Sequence, residues 1–298
     1  MTDAATITKD LGGKWLRRYG TAPCPCCQPE RRKGQNALTL ADGRDGKLLL
    51  NCKKTGCDFA DILAAAGIRS GDYRPPDPAI IAQRDREERA QAEKRARQAE
   101  RCWQESLPIA DTLAETYLRG RGITCALPST LRFHPDCWHG PTAKRHPALV
   151  ARIDGAETFA IHRTFLHPDG TGKASLDGGN KLMLGSTAGG AVRLTEAQGP
   201  LVVAEGIETG LSLASGLLGH PATIWAALST SGMRGLRLPP SPGRLTIATD
   251  GDSAGADAGR DLAERAHGLG WQVSMLPAPR GRDWNDILAG KAVVHDLC

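Results

Sequence analysis

The sequence predicts an α/β protein: a parallel sheet flanked by helices at the back, preceded by a mixed α+β region and a small N-terminal β module. Three observations carry that prediction. From Pro200 onward, short apolar runs (LVVA, TIWAAL, RLTIAT, WQVSML) alternate with segments of helical character, and strand–helix repetition of this kind builds a parallel sheet. Between residues 106 and 199, strand-like runs follow one another with only turns between them. Near the N-terminus, two close cysteine pairs bracket an alternating, hairpin-like stretch. The expected organisation is 1–70, 71–105, 106–199 and 200–298.

Bulk composition narrows the class. A length of 298 residues allows two domains and a small third. No run approaches the ~20 apolar residues that cross a bilayer, and Met1 to Asp10 lacks the apolar core of a signal peptide. The expectation is a cytoplasmic protein with no membrane partner. Net charge is graded along the chain. Residues 1–105 carry 20 Lys and Arg against 15 Asp and Glu, residues 106–199 carry 10 against 8, and residues 200–298 carry 8 against 10. A basic front and an acidic back suit a protein that holds a polyanion with one end and a cation with the other.

In the front segment, Cys24 and Cys27 form a C-x2-C pair, and Cys52 and Cys57 a C-x4-C pair. Between them, 37–40 and 48–50 alternate around the turns Asp42-Gly43 and Asp45-Gly46, the pattern of a β-hairpin. Two cysteine turns joined by a hairpin bring four thiolates into a tetrahedron, the closed arrangement of structural Zn2+. In so short a segment the metal would supply much of the folding energy. Cys26 could replace Cys24 or Cys27 as a ligand. C-x2-C is the better knuckle spacing, so Cys26 is expected to be a bystander. Cys102, Cys125, Cys137 and Cys298 are scattered and are expected to be inert. Around the knuckles stand Trp15, Arg17, Arg18, Tyr19, Arg31, Arg32, Lys33, Lys53, Lys54 and Phe59. Cations for phosphates and rings for unstacked bases point to single-stranded nucleic acid.

A short helix over 60–67 is followed by the breaker-rich SGDYRPPDP and then by one charged helix over 79–105. That helix has few apolar residues before Trp103 and is expected to be an exposed spacer. Next come a helix in AETYLRGRGI, a strand in LRFHP, and two further strands in HPALVARID and TFAIHRTFLHPDG. The fragment GTGKAS is not a phosphate loop, because His167 stands where the first glycine of that motif belongs. Arg163, Lys173 and Lys181 are cations placed just ahead of the acidic segment.

The back segment sets carboxylates at strand ends: Glu205 after the first strand, Asp250 and Asp252 after the third, Asp283 and Asp286 after the fourth. In parallel sheets, ligands gather beyond the carboxyl ends of the strands. Clustered carboxylates repel unless a cation lies among them, and Mg2+ suits oxygen ligands that also touch phosphates. Helix N-capping is the competing explanation for Asp252 or Asp283 taken singly.

These residues carry a resemblance. VVAEGIETGLS resembles the Glu-Gly motif of Toprim domains, and ATDGDSAGADAG resembles their D-x-D motif in its primase form. NKLMLGST resembles the lysine-bearing strand ahead of Toprim in bacterial and phage primases. AETYLRGRGI and IHRTFLHPDGTGKA look like the basic subdomain of phage and plasmid Toprim primases, and an N-terminal zinc ribbon is similar to their template-reading module. The resemblance implies a DNA primase that makes short primers on single-stranded DNA from nucleoside triphosphates, by metal-dependent nucleotidyl transfer. Glu205 then matches the catalytic glutamate, as metal ligand or general acid/base, and Asp250 and Asp252 match the pair that binds Mg2+ or Mn2+. Lys181 matches a lysine in nucleotide or template contact, and Arg163 is expected to hold phosphates. Asp283 and Asp286 would join the metal site, although the DWND turn departs from the acidic spacing of replicative primases. No helicase module is recognised, so a helicase would be a separate partner. Two rivals remain: a Toprim nuclease, which shares the carboxylates but attacks with water, and a non-catalytic DNA-binding replication or regulatory protein. A Toprim topoisomerase needs further domains and a nucleophilic tyrosine, and Tyr19, Tyr73 and Tyr117 all lie far upstream.

Overall fold

The computed structural model describes residues 3–295 apart from 17, 33, 44 and 70, with side chains up to Gly290. Arg17, Lys33 and Cys298, named above, lie outside the described residues. The chain forms two compact units, residues 1–90 and 91–298. No helix among the described residues is long and apolar enough to cross a membrane.

In the first unit, helix α1 (Ala4–Asp10) starts at Asp3, whose carboxylate accepts the Thr6 N–H and so satisfies one free donor of the first turn. Four antiparallel strands follow in sequence order, β1 (Lys14–Leu16), β2 (Tyr19–Ala22), β3 (Leu38–Asp42) and β4 (Leu48–Cys52). The hairpin expected between the cysteine pairs is β3–β4. The strands β1 and β2 and the helix α1 add to it. Period-two alternation turns Leu38 and Leu40 inward, where they pack with Ile7 of α1, with Leu11 just after it and with Ile62 of α2 (Phe59–Ala65). Gly20 lets α1 lie this close: a Cβ there would stand 2.0 Å from Thr8 Oγ1. Helix α3 (Pro78–Glu105) spans the boundary between the units. It has the exposed character its composition predicts, burying only Ala99 and Trp103.

The second unit contains two sheets. The first is antiparallel, in the order β5 (Leu107–Pro108), β6 (Leu131–His139), β7 (Lys144–Ile153), β8 (Ala160–Phe165), β9 (Lys181–Leu184), with α4 (Leu113–Gly120) inserted after β5. Its two faces have different neighbours. Ala148, Val150, Ile161 and Phe165 pack with Ala99 and Trp103 of α3. Leu149, Ala151, Ile153 and Ala160 pack with α4 and with the second sheet.

The second sheet has the order β10-β12-β11-β13-β14, from β10 (Val192–Thr195), β11 (Leu201–Ala204), β12 (Thr223–Ala226), β13 (Arg244–Thr249) and β14 (Gln272–Pro277). β11, β12, β13 and β14 are parallel, and β10 pairs antiparallel with β12. Every residue of β11 is buried, as a central strand covered on both faces requires. Val202 and Ala204 meet α5 (Ile207–Ser212), whereas Leu201 and Val203 meet α6 (Thr230–Gly235) and α7 (Ser253–Gly268). Each fully buried Leu or Ile of these cores is worth about 1.5–3 kcal/mol. Helix α8 (Trp284–His295) packs beside α5. The helical segment that follows β11 is broken. After α5 the chain passes into a π-helical stretch, Leu213–Leu217, in which Gly216 takes φ 106°.

The strand order places the crevice. β11 leads to β12 on one side, and the chain then crosses back to β13 on the other, so the helices that follow β11 and β13 leave on opposite faces. A parallel sheet opens at such a switch point, beyond the carboxyl ends of the two strands.

Candidate active site

Glu205 directly follows β11, and Asp250 directly follows β13, at that switch point. The D-G-D turn is clamped from behind. Gly251 donates its N–H to the Arg282 carbonyl at 2.9 Å, and its own carbonyl accepts the Gly281 N–H at 2.9 Å. A Cβ on Gly251 would stand 2.0 Å from the Pro279 carbonyl oxygen, so the clamp requires glycine. Asp252, in extended conformation, caps α7, its Oδ1 accepting the Gly255 N–H at 2.7 Å. A Cβ on Gly255 would lie 3.1 Å from Glu205 Oε2 and 3.2 Å from Asp252 Oδ1, so this glycine leaves the space that the carboxylates share.

The electrostatics are those of an acid cluster. Burial, and then Asp250 and Asp252, push the Glu205 carboxyl up to about 7. Its Oε2 is enclosed and has no hydrogen-bond partner. Burial also pushes Asp250 up, with Asp283 and Asp252 adding to the effect, while a hydrogen bond from Thr209 Oγ1 at 3.2 Å works against it. An unpartnered carboxylate oxygen between two more carboxylates is a donor set for a hard cation. Lys181, on β9 of the other sheet, lowers both Glu205 and Asp250. It is tied to the acid-bearing sheet through Glu208, with Nζ 3.6 Å from Glu208 Oε2.

Three residues of the sequence expectation are placed differently. Arg163 does not reach the cluster. Thr164 is the β8 residue opposite Lys181, and Arg163 pairs with Leu182, so its side chain takes the other face of the sheet. There it is buried, donates to the Trp138 carbonyl at 3.0 Å and lies over the Phe165 ring. Asp283 and Asp286 serve one another across the start of α8: Asp283 Oδ1 accepts the Asp286 N–H at 2.7 Å, and Asp286 Oδ2 accepts the Asp283 N–H at 3.2 Å. This is a reciprocal cap. Asp283 remains in electrostatic reach of Asp250. Within the same turn, buried Asn285 donates to the Arg121 carbonyl and to Ser212 Oγ, both at 2.9 Å, fastening α8 to the end of α4 and to α5.

Sequence reasoning missed Glu208, Tyr117 and Thr209 as members of the site. Glu208 is buried three residues after Glu205, and Tyr117 Oη donates to its Oε1 at 2.8 Å. Its helical position in E-G-x-E is the one available signal, and that position equally suits an exposed first-turn acid.

In the first unit, the Sγ atoms of Cys24, Cys27, Cys52 and Cys57 all lie within 4.8 Å of one another. Among the described residues this is the one group of three or more such side chains that converges so tightly. The three carboxylates above are more open. Cys26 is not part of the thiol group. Buried Gln28 holds the first knuckle to the sheet, its Oε1 accepting the N–H of Cys24 at 3.2 Å and of Ala37 at 3.0 Å. Burial acts against ionisation of Cys52, but the N–H groups of Thr55, Cys57 and Lys54 aim at its sulfur and bring it down to about 5. Burial pushes Cys24 up to about 12. Four converging thiols with backbone donors aimed at one sulfur fit a thiophilic cation. On the same unit Tyr19 and Phe59 are exposed, whereas Arg18 is engaged by Asp85 at 3.0 Å and by Glu88.

Comparison with known proteins gives two family matches. Residues 93–194 match a domain of unknown function, DUF7146, and residues 200–292 match the Toprim domain. No curated protein matches the chain in sequence. Among solved structures, a DNA primase domain from Pseudomonas aeruginosa is similar at 19% identity and a TM-score of 0.40, covering 62% of this chain and 71% of that one. The zinc-binding and RNA polymerase domains of Aquifex aeolicus primase are similar at 13% identity and a TM-score of 0.44, covering 98% and 81%. The primase fragment of the bacteriophage T7 primase-helicase is similar at 12% identity and a TM-score of 0.32, covering 93% and 97%. The acid cluster stands at the switch point of a mostly parallel sheet, and residues 200–292 of this chain are a Toprim domain.

Proposed function

We propose that the chain is a primase, synthesising short primers on single-stranded DNA by nucleotidyl transfer from nucleoside triphosphates. The observation that carries this reading is the acid cluster of Glu205, Asp250 and Asp252 around Gly255, with a lysine of the neighbouring sheet facing it. Those three carboxylates would hold Mg2+ or Mn2+, which supplies charge neutralisation at the transferring phosphoryl group and a more acidic 3′-hydroxyl. The protein groups have their own tasks. Thr209 fixes the orientation of Asp250 through its hydrogen bond. Glu205 would serve either as a metal ligand or as a general acid/base, since burial and its two acidic neighbours push its carboxyl up to about 7 only while no cation lies among them. Lys181 offers a cation to substrate phosphates. Asp283 stands at the edge of the cluster, and Asp286 completes the cap of α8. Arg163, held on the far face, takes no part.

The division of labour follows the expected segments: 1–70 as a zinc-stabilised module for single-stranded template, 71–105 as a linker, 106–199 as a basic subdomain and 200–298 as the catalytic domain. Cys24, Cys27, Cys52 and Cys57 would hold the zinc, and the exposed rings of Tyr19 and Phe59 offer stacking surfaces. The test is direct. The full chain is incubated with circular single-stranded DNA, labelled nucleoside triphosphates and Mg2+ or Mn2+, and products are sized on a denaturing gel. Short labelled products that need template support the proposal. Template degradation without labelled product would reassign the site to a nuclease. DNA binding with neither product nor degradation would leave a non-catalytic DNA-binding protein.

A further inference from the structure

Glu208 is a buried carboxylate whose two oxygens are both taken by groups from the preceding subdomain. Oε1 accepts from Tyr117 Oη of α4 at 2.8 Å and from Lys173 Nζ at 2.8 Å, and Oε2 faces Lys181 Nζ of β9 at 3.6 Å. With both oxygens so occupied, it is not a spare metal ligand. Burial alone would raise its pKa, but Lys181 and Lys173 hold the carboxyl well below the usual range.

The surroundings leave the hub cationic. His162 is buried within electrostatic reach of Glu208, and burial with Lys181 brings its pKa down to about 4, so it adds no charge at neutral pH. Arg121 contributes a further positive field. Two ammonium groups therefore share one carboxylate. Lys173 is mostly covered, with 25% of its side chain exposed, whereas Lys181 is 42% exposed. Lys181 also acts on Glu205 and Asp250, so it bridges the hub and the acid cluster.

We propose that Glu208 is a positioning residue that holds Lys181, with Lys173 behind it, beside the acid cluster as a seat for the phosphates of a nucleoside triphosphate. The inference rests on the nucleotidyl-transfer reading above. Its chemistry requires a carboxylate and not merely a polar side chain of the same shape. A glutamine keeps one acceptor oxygen but turns an NH2 group toward an ammonium that can only donate. One of the two lysines is then released, and the seat loses its geometry.

The experiment measures binding of adenosine 5′-[α,β-methylene]triphosphate with Mg2+, and in parallel the nucleotide KM and kcat of primer synthesis, for wild type, Glu208→Gln, Glu208→Asp, Lys173→Met and the double variant Glu208→Gln/Lys173→Met. Glu208→Gln should weaken analogue binding by about tenfold and raise KM by a similar factor, with kcat within about threefold. Lys173→Met should behave alike, and the double variant should be no worse than Glu208→Gln, because both act through one hub. Glu208→Asp, which keeps the charge and loses reach, should fall between wild type and Glu208→Gln. A purely structural role would lower the melting temperature of Glu208→Gln and leave KM in place, and that result overturns the proposal. Should Glu208→Gln fail to fold, wild-type binding by Lys173→Met overturns it instead. Wild type that binds no analogue sinks the nucleotidyl-transfer reading and this inference together. Wild type that binds, with variants that bind equally well, sinks the inference alone.

Discussion

Replacing Glu205 by Gln should stabilise the metal-free protein at alkaline pH while removing its response to Mn2+. The Glu205 carboxyl stands at about 7 against an ordinary 4.5, raised by burial and by Asp250 and Asp252. Its native state therefore holds this proton more tightly than the unfolded chain does. Below pH 4.5 both states are protonated and the contribution to stability is full. As pH rises through 7 the native state loses the proton and the contribution goes. A rise from 4.5 to about 7 penalises the ionised form by about 3 kcal/mol. Glu205 is only partly buried, so about 1–2 kcal/mol of this should appear as lost stability. Glutamine mimics the protonated carboxyl and does not ionise. In buffer with EDTA, Glu205→Gln should melt within about 1 °C of wild type at pH 4.5–5 and about 2–6 °C above it at pH 8. Added Mn2+ at pH 8 should raise the wild-type melting temperature and leave the variant unmoved. Calorimetry or dye-based melting across pH 4.5–8.5 reads both effects. A variant that melts below wild type by the same margin at every pH would refute the reasoning, because the carboxylate would then be making a favourable contact.

Three further outcomes follow from single contacts. Asp252→Asn and Asp252→Ala should both abolish primer synthesis, but only Ala should cost about 1 kcal/mol in stability, since Asn keeps an oxygen for the Gly255 N–H; gel assay and urea melts separate the two effects. Gly255→Ala places a Cβ 3.1 Å from Glu205 Oε2 and 3.2 Å from Asp252 Oδ1, and should raise the Mn2+ concentration needed for a given melting shift by about tenfold. Protein purified without chelator should contain one equivalent of zinc by elemental analysis, lost in Cys24→Ser, Cys27→Ser, Cys52→Ser or Cys57→Ser and retained in Cys26→Ser.

The parts of the fold legible in sequence are those whose side chains repeat the environment. β11 is buried along its whole length and so appears as the unbroken apolar run LVVA, β13 (RLTIAT) is exposed at its start and buried from Ile247 onward, and the helices between them declare parallel crossovers. The elements that escaped detection carry weak signals for physical reasons. β10 is four residues at the sheet edge with alternating exposure, and VRLT resembles a loop as much as a strand. β1 is three residues long and pairs with β2 over only three residue pairs, Lys14–Thr21 to Leu16–Tyr19, too short a run for alternation to declare a strand. The break after α5 depends on Gly216 at φ 106°, a conformation glycine permits without announcing it.

Site membership turns on register, which spacing alone does not supply. Arg163 and Thr164 are neighbours in β8, and one residue of register decides which of them stands beside Lys181. The paired carboxylates Asp283 and Asp286 share a spacing with metal ligands and with reciprocal caps, and at the start of α8 each accepts the other's N–H through one oxygen. Glu208 shows the same limit from the other direction. In sequence it is one more acid in the first turn of a helix, where an exposed carboxylate is stabilising anyway. It becomes a functional candidate only because Lys173 arrives from the turn after β8 and Lys181 from β9, neither of which a local pattern links to α5. Glu205, Asp250 and Asp252 were recognisable because their chemistry is displayed at strand ends. Glu208, paired with Lys173, Lys181 and Tyr117, was not recognisable, because it is buried and its partners come from distant elements.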